Sequence, residues 1–287
     1  MSNKLVQWLF KTDALRVSSA DKPFWYTSGT IGPYYINTHF LYGSEKKATE
    51  LLEFINEAKE DICSFPLKLT ELLWENYNKD AIFKGLIDHM CIFIKNNINI
   101  NEVDYISGGE RRDWFFSFLV AQLLEKPHLT IYKDLSINEF YKNKVNTITD
   151  LQNKNVLHIA DLVTEASSYE RAWIPAINRI NGIIKWSVVV VDRKQGGKEL
   201  LARMGVNLYP MVCIDRGTFD NALNMGLIDE KQYNMIIDFI NDPKGSMKRF
   251  LIGNPDFLEN ALTSGGKDAE RAKLCIEKNI YGLEKGA

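Results

Sequence analysis

The chain has 287 residues, of which 45% are hydrophobic and 25% charged, and a formal net charge of −2. That is the balance of an ordinary soluble globular protein, long enough to bury a full core in one large domain or one domain with an added piece. The absence of a basic excess argues against a dedicated nucleic-acid or membrane-surface binder, and no apolar run is long enough to span a bilayer.

Residues 3–16 alternate apolar and polar at helical period, with Leu5, Leu9, Phe10 and Leu15 roughly on one side. Polar interruptions in this opening and the lack of a small-residue cleavage site do not fit a signal peptide. "PFWYTSGTIGPYYINTHF" follows, dense in aromatics and punctuated by Gly and Pro. It predicts two short extended pieces around a turn at Ser28-Gly29. Such a hairpin either covers the core or forms a loop wall that stacks on a flat ligand. Ser44 then caps a helix whose stripe is Ala48, Leu51, Leu52, Ile55 and Ala58. Residues 66–96 read as further helix, with Ile82, Leu86, Met90 and Phe93 on one face.

"VDYISGGERRDW" is a short apolar strand, a glycine pair and a charged turn, and it leads into the helix "WFFSFLVAQLLEK". "HLTIYKD" is a strand ending at Lys133. Residues 134–155 are polar and weakly patterned, which predicts a mobile surface loop. "VLHIADLVTEASSYERA" is a second strand–turn–helix unit, "IIKWSVVVVDRKQGG" a strand ending at Asp192-Arg193, and "LYPMVCID" a last strand. Residues 217–287 show helical pattern only. Strands alternating with helices predict an α/β fold with a mainly parallel sheet flanked by helices. The expected organisation is one domain over 1–216, a helical insertion at about 61–100, and a helical C-terminal extension over 217–287 packed on it.

Cys63, Cys91, Cys213 and Cys275 are far apart with no C-x-x-C pair, and the four histidines show no ligand spacing. Buried thiols in a reducing cytoplasm fit better than a disulfide framework or a zinc site.

Ligands of open parallel sheets bind at the carboxyl ends of the strands, where Gly109, Lys133, Asp161 and Arg193 all fall. Gly108 and Gly109 offer N–H groups to an anion, and Arg111 and Arg112 neutralise it. Thr164, Glu165, Ala166, Ser167 and Ser168 form a phosphate-sized turn at a helix start. Asp161 suits sugar hydroxyls or a magnesium shell, and Arg193 a ligand carboxylate. Alone, the arginine pair reads equally as a solvated turn and the serine pair as a plain helix cap. In this order they describe a ligand with two separated phosphate groups, a sugar between them and a carboxylated partner.

"VLHIADLVTEASS" closely resembles the phosphoribosyl pyrophosphate motif of the type I phosphoribosyltransferase family, and the chain is most similar to its orotate phosphoribosyltransferases. "SGTIGPYYIN" is similar to the stretch whose aromatic pair lines the orotate pocket, a role that falls on Tyr34 and Tyr35. "VVVVDRKQGGKELLARMGV" resembles the segment whose arginine grips the base's carboxylate, here Arg193. "SGGERRD" stands where the family has its pyrophosphate loop, so Gly109, Glu110, Arg111 and Arg112 are implied in donor binding, with Lys133, Asp161 and residues 164–168. The resemblance implies transfer of a phosphoribosyl group from phosphoribosyl pyrophosphate to orotate or a similar carboxylated base. Asp161, Lys133 and Arg112 are its implied catalytic groups, Mg2+ its cofactor held by Asp161 through water, and a cytoplasmic homodimer its implied state. Small molecules, not nucleic acid or membrane, are the implied partners.

Three departures stand out. Ala160 replaces the first acid of the family's acid pair. Glu165 stands in the phosphate turn, which requires its side chain to turn outward. The family's mobile Lys-x-His-Gly loop has no match in "LSINEFYKNKVN", where Lys142 and Lys144 are the only basic candidates.

Overall fold

The computed structural model describes residues 2–283; the last four residues of the extension expected over 217–287 lie outside the described residues. Helix α1 (Ser2–Lys11) is followed by four short strands, β1 (Leu15–Val17), β2 (Phe24–Trp25), β3 (Ile31–Gly32) and β4 (Tyr34–Ile36). A 3-10 turn (Thr38–Tyr42) leads to α2 (Glu45–Ala58), α3 (Phe65–Lys79) and α4 (Ala81–Asn97). Then come β5 (Tyr105–Gly109), α5 (Trp114–Leu123), β6 (His128–Ile131), β7 (Ile137–Tyr141), β8 (Lys144–Thr147) and β9 (Asn155–Val163). The chain continues through a π-wound turn (Tyr169–Trp173) into α6 (Ile174–Arg179), then β10 (Ile183–Asp192), α7 (Gly197–Arg203) and β11 (Asn207–Cys213). Five helices close it: α8 (Arg216–Asn224), α9 (Glu230–Asn241), α10 (Pro243–Gly253), α11 (Pro255–Ser264) and α12 (Gly266–Glu277).

The described chain divides into two compact units, residues 2–14 with Asn37–Ile214, and Leu15–Ile36 with residues 215–283. The first is built on a seven-stranded sheet of order β11-β10-β9-β5-β6-β7-β8, flanked by helices. Pairs from β11 to β6 are parallel, and β7 and β8 add an antiparallel edge. The apolar runs of β9 and β10 are buried almost throughout, as a sheet covered on both faces requires. The chain leaves β5 toward β6 on one side and returns as β9 on the other. The carboxyl ends of β5 and β9 therefore form the switch point of the sheet, the crevice where open α/β sheets hold ligands.

The insertion is two helices of this same unit. Asp80 ends α3 and caps α4, accepting from the N–H groups of Ile82 and Phe83 at 3.0 Å each. Gly85 lets α4 approach α1 closely, because a Cβ there would lie 2.6 Å from the Trp8 ring.

Three sequence expectations are corrected. The opening helix stops at Lys11 rather than running to 16, because Asp13 takes a positive φ of 58° and turns the chain into β1. Residues 134–155 are not a bare loop: β7 and β8 form a hairpin whose turn residues Lys142 and Asn143 both have positive φ, 50° and 60°. Residues 15–36, read as part of the sheet domain, belong with the C-terminal helices. There β1 pairs with β4 and β2 with β3. The Ile31 N–H donates to the Tyr281 hydroxyl at 2.8 Å, Arg271 donates to the Trp25 carbonyl at 2.9 Å, and Trp25 stacks on Phe257. These partners lie far off in sequence, so local pattern cannot announce them. Among the described residues no helix is long and apolar enough to cross a membrane.

Candidate active site

β9 carries its apolar run through Val163, and the chain then turns at Thr164 and Glu165 before the next helix begins at Ser167. Ala166 holds φ at 58°, the left-handed region that L-residues avoid at a cost of roughly 1–2 kcal/mol. That reversal turns successive N–H groups to one side, the geometry of an anion nest. Among the described residues the N–H groups of Glu165 and Ala166 have no protein acceptor. The turn is pinned from behind: the Gly197 N–H donates to the Thr164 carbonyl at 3.0 Å, and the Arg193 N–H to the Val163 carbonyl at 2.9 Å. A Cβ at Gly197 would lie 2.6 Å from the Thr164 oxygen, so glycine is what permits the approach. Glu165 is exposed, as the departure from the family pattern required.

Facing this turn is the end of β5. Gly108 and Gly109 are buried, and a Cβ on either would collide, with Ser117 at 2.2 Å and with Trp173 at 2.3 Å. Glu110 and Arg111, joined by a cis peptide, start the charged turn, and Arg111 and Arg112 are exposed. The Glu110 carboxylate, expected to serve the donor, is occupied by the protein. It pairs with Lys59 at the end of α2 and accepts the Lys133 N–H at 2.9 Å. The Arg111 guanidinium donates to Asn56 on α2.

Between the two turns lies Asp161. Thr38 Oγ1 donates to its Oδ2 at 2.8 Å. Burial, and secondarily the neighbouring Asp113 carboxylate, push its pKa up from 3.8 to about 7; Arg112 and the Thr38 hydroxyl oppose the rise. Behind it runs a buried polar chain. Asp113 accepts from the Gly109 and Asp161 N–H groups, its Oδ2 lies 3.5 Å from His158 Nε2, and His158 Nδ1 is 2.9 Å from the Ser107 hydroxyl. His39 stays neutral, its pKa lowered to about 3 by burial and then by Arg112 and Arg111.

A cavity of about 310 Å³ joins these groups, lined by Glu110 to Asp113, by Ala160 to Tyr169 and by Trp173. A second, of about 580 Å³, shares Glu110, Arg111, Ser167, Ser168 and Trp173 with it and adds Lys59, Lys133 and Arg171. The structure thus brings together Glu110, Arg111, Arg112, Asp161 and the whole 164–168 turn, with Lys133 at the second cavity; Gly109 lines neither, and its N–H is taken by Asp113. Asn56, Lys59, Asp113 and Arg171 escaped sequence reading, as did Thr38. Lys59 and Arg171 look like ordinary helix-surface charge, and only "RRD" hinted at Asp113.

The remaining predicted residues do not line these two cavities. Arg193 follows β10; it is half-buried, and among the described residues its Nε finds no hydrogen-bond partner. Tyr34, in the second unit, is buried with its ring against Phe219 and Phe239. Its ring is thus a core element, where the resemblance had it lining a base pocket. Tyr35 donates to the Trp25 carbonyl at 2.8 Å and lines a separate cavity of about 350 Å³ with Trp25, Phe257 and Arg271. Lys142 is at the tip of the β7–β8 hairpin with its ammonium 5.2 Å from the Tyr141 ring centre, and Lys144 is exposed. Among the described residues no three His, Cys, Asp or Glu converge on one point. A divalent cation here would therefore rely on one protein carboxylate, Asp161, together with oxygens of a ligand and water.

The 164–168 turn and the charged glycine turn stand at the switch point of a mainly parallel sheet, and the architecture is that of the type I phosphoribosyltransferase fold. In sequence, part of the chain is similar to orotate phosphoribosyltransferases. It is 34% identical over 93 residues to an orotate phosphoribosyltransferase of Staphylothermus marinus, a match covering 32% of this chain and 45% of that protein. It is 38% identical over 122 residues to an orotate phosphoribosyltransferase of Methanococcus maripaludis, covering 42% of this chain and 62% of that one. The chain therefore spans about half the length of the curated relatives it matches. In fold it is similar to the crystal structure of an orotate phosphoribosyltransferase from Francisella tularensis. There the TM-score is 0.53 at 15% identity, over 82% of this chain and 96% of that one. No protein-family model matches the chain.

Proposed function

We propose that the chain is a pentosyltransferase that joins orotate, or a similar carboxylated base, to phosphoribosyl pyrophosphate, giving a nucleoside monophosphate and pyrophosphate. The observation that carries this reading is the turn at 164–168. It presents two N–H groups without protein acceptors to the same cavity as Asp161 and the Arg111-Arg112 turn. That arrangement suits a sugar carrying a phosphate at one end and a pyrophosphate at the other.

Breaking the bond between sugar and pyrophosphate builds positive charge on the ring and negative charge on the leaving group. Arg111, Arg112 and Lys133 stabilise the leaving group electrostatically, and the 164–168 turn anchors the 5′-phosphate so that the ring is held in line. Asp161 takes the sugar hydroxyls or holds Mg2+ through water. The cation's chemistry there is charge neutralisation on the pyrophosphate. Its charge also favours the ionised form of a carboxyl that burial otherwise keeps protonated. Arg193 pairs with the carboxylate of the base. A stacking role for Tyr35 rests on family resemblance only, and the Tyr34 ring is taken up by the core. A cytoplasmic homodimer is part of the same proposal.

Mixing the protein with Mg2+, phosphoribosyl pyrophosphate and orotate, and following loss of orotate absorbance, tests the reading; turnover is expected. A second reading, a donor-binding protein without turnover, is favoured by Ala160 and by the tight β7–β8 hairpin standing where the family has its mobile loop. Calorimetric donor binding with no loss of orotate absorbance would select it. Turnover with another base alone would keep the transferase and discard orotate.

A further inference from the structure

β5 and β9 pair as a parallel ladder only as far as Ser107 opposite His158. Past that point the strands part, and the residues just beyond β5 and the last residues of β9 line the 310 Å³ cavity. A parting ladder strands backbone N–H groups, and a buried one left unmade costs about 1–3 kcal/mol. Two such groups, on Gly109 and Asp161, face each other across the gap. Asp113 meets both. Its Oδ2 accepts from the Gly109 N–H and its Oδ1 from the Asp161 N–H, each at 3.0 Å.

The carboxylate therefore acts as a rung between strands that no longer bond to one another. Each oxygen is committed to a different strand. An amide has a single acceptor oxygen, and its NH2 would confront the other N–H, so asparagine can make only one of the two bonds. Asp113 is also braced. It sits at the start of α5 with its side chain 10% exposed, and His158, fully buried and hydrogen-bonded to Ser107, lies behind it. Placing a carboxylate this near Asp161 carries an electrostatic penalty, which the two backbone donors offset.

We infer that Asp113 is a positioning residue that fixes the separation of the Gly109–Arg112 turn from Asp161, and so the spacing at which the cleft meets an anionic ligand. The ligand's nature rests on the function proposed above; the rung itself does not.

The test is residue-resolved amide hydrogen exchange on the full chain and on Asp113→Asn, with binding of magnesium pyrophosphate measured by calorimetry at a temperature where both remain folded. In the natural protein the Gly109 and Asp161 amides are expected to be as protected as those of Ser107 and His158. In Asp113→Asn at least one of the two exchanges about tenfold faster, and pyrophosphate binds about tenfold more weakly, the loss of one charge-assisted bond. Asp113→Ala is expected to release both amides. A purely structural role would shift the melting point and leave pyrophosphate affinity in place. Unchanged exchange at both amides, or faster exchange with unchanged affinity, overturns the inference. If Asp113→Asn does not fold, fast exchange of these two amides in the natural protein still overturns it. Failure of the natural protein to bind pyrophosphate sinks the functional reading instead, and exchange alone then judges the rung.

Discussion

The Thr38 hydroxyl donates to the Asp161 carboxylate at 2.8 Å, tying a 3-10 turn to a strand end 123 residues further on. This bond stabilises the ionised form of a carboxyl that burial would otherwise keep neutral. Thr38→Val keeps the shape and removes the donor. Donor affinity in Mg2+ should fall about tenfold, the size of one hydrogen bond to a charged group. Calorimetric titration of the variant checks this, and an unchanged dissociation constant would detach Thr38 from the site.

Asp161 also sets a pH dependence with a definite sign. Its carboxyl titrates near 3.8 when unfolded and is pushed up to about 7 in the folded chain. Between those values the folded state binds more protons, so this group's contribution is present below the lower value and is lost as pH rises toward the upper. Urea unfolding of the ligand-free protein should show lower stability at about pH 8 than at about pH 5, and Asp161→Asn should flatten that slope. Donor binding with Mg2+, which favours the carboxylate, should strengthen over the same window. A slope identical in Asp161→Asn would assign the dependence to other groups.

Among the described residues the Arg193 Nε has no partner at a half-buried position. Arg193→Ala should weaken binding of the base about ten- to a hundredfold, the range for a charge-assisted pair, with far less effect on the donor. Initial-rate kinetics separate the two constants. Equal losses of both would contradict the assignment.

Gly197 tests the 164–168 turn from behind. A methyl group there would press to 2.6 Å from the Thr164 carbonyl oxygen, displacing the bond that pins the turn. Gly197→Ala should cost about 1–3 kcal/mol in denaturant unfolding and should weaken inorganic phosphate binding as well. Full stability with unchanged phosphate affinity would show that the turn does not depend on this contact.

What the sequence disclosed follows from how local each cause is. The Val/Ile runs of β9 and β10 declare buried strands, and the Ser44 cap declares a helix start, its side chain accepting the Lys47 N–H as expected. The β7–β8 hairpin stayed hidden because β8 is an edge strand with no buried residue, so it has no alternation to read. Asp113 was hidden for another reason: its partners are backbone N–H groups, which no residue type encodes. Lys59 reads in sequence as any charged helix end, and only its pairing with Glu110 sets it apart. Residues 15–36 were misplaced because their partners, such as Tyr281 for Ile31, come 250 residues later.

Ala166 occupies a conformation in which glycine would be at ease, and its side chain is buried, 5% exposed. An alanine restricts the backbone more than glycine does, in the unfolded chain as well as in the turn. The backbone of this turn is thus more restricted than glycine would leave it, which lowers the ordering that binding must impose. Under the function proposed above, selection for a phosphate ester would then come from a backbone outline set in advance rather than from a loop that moulds itself to its guest.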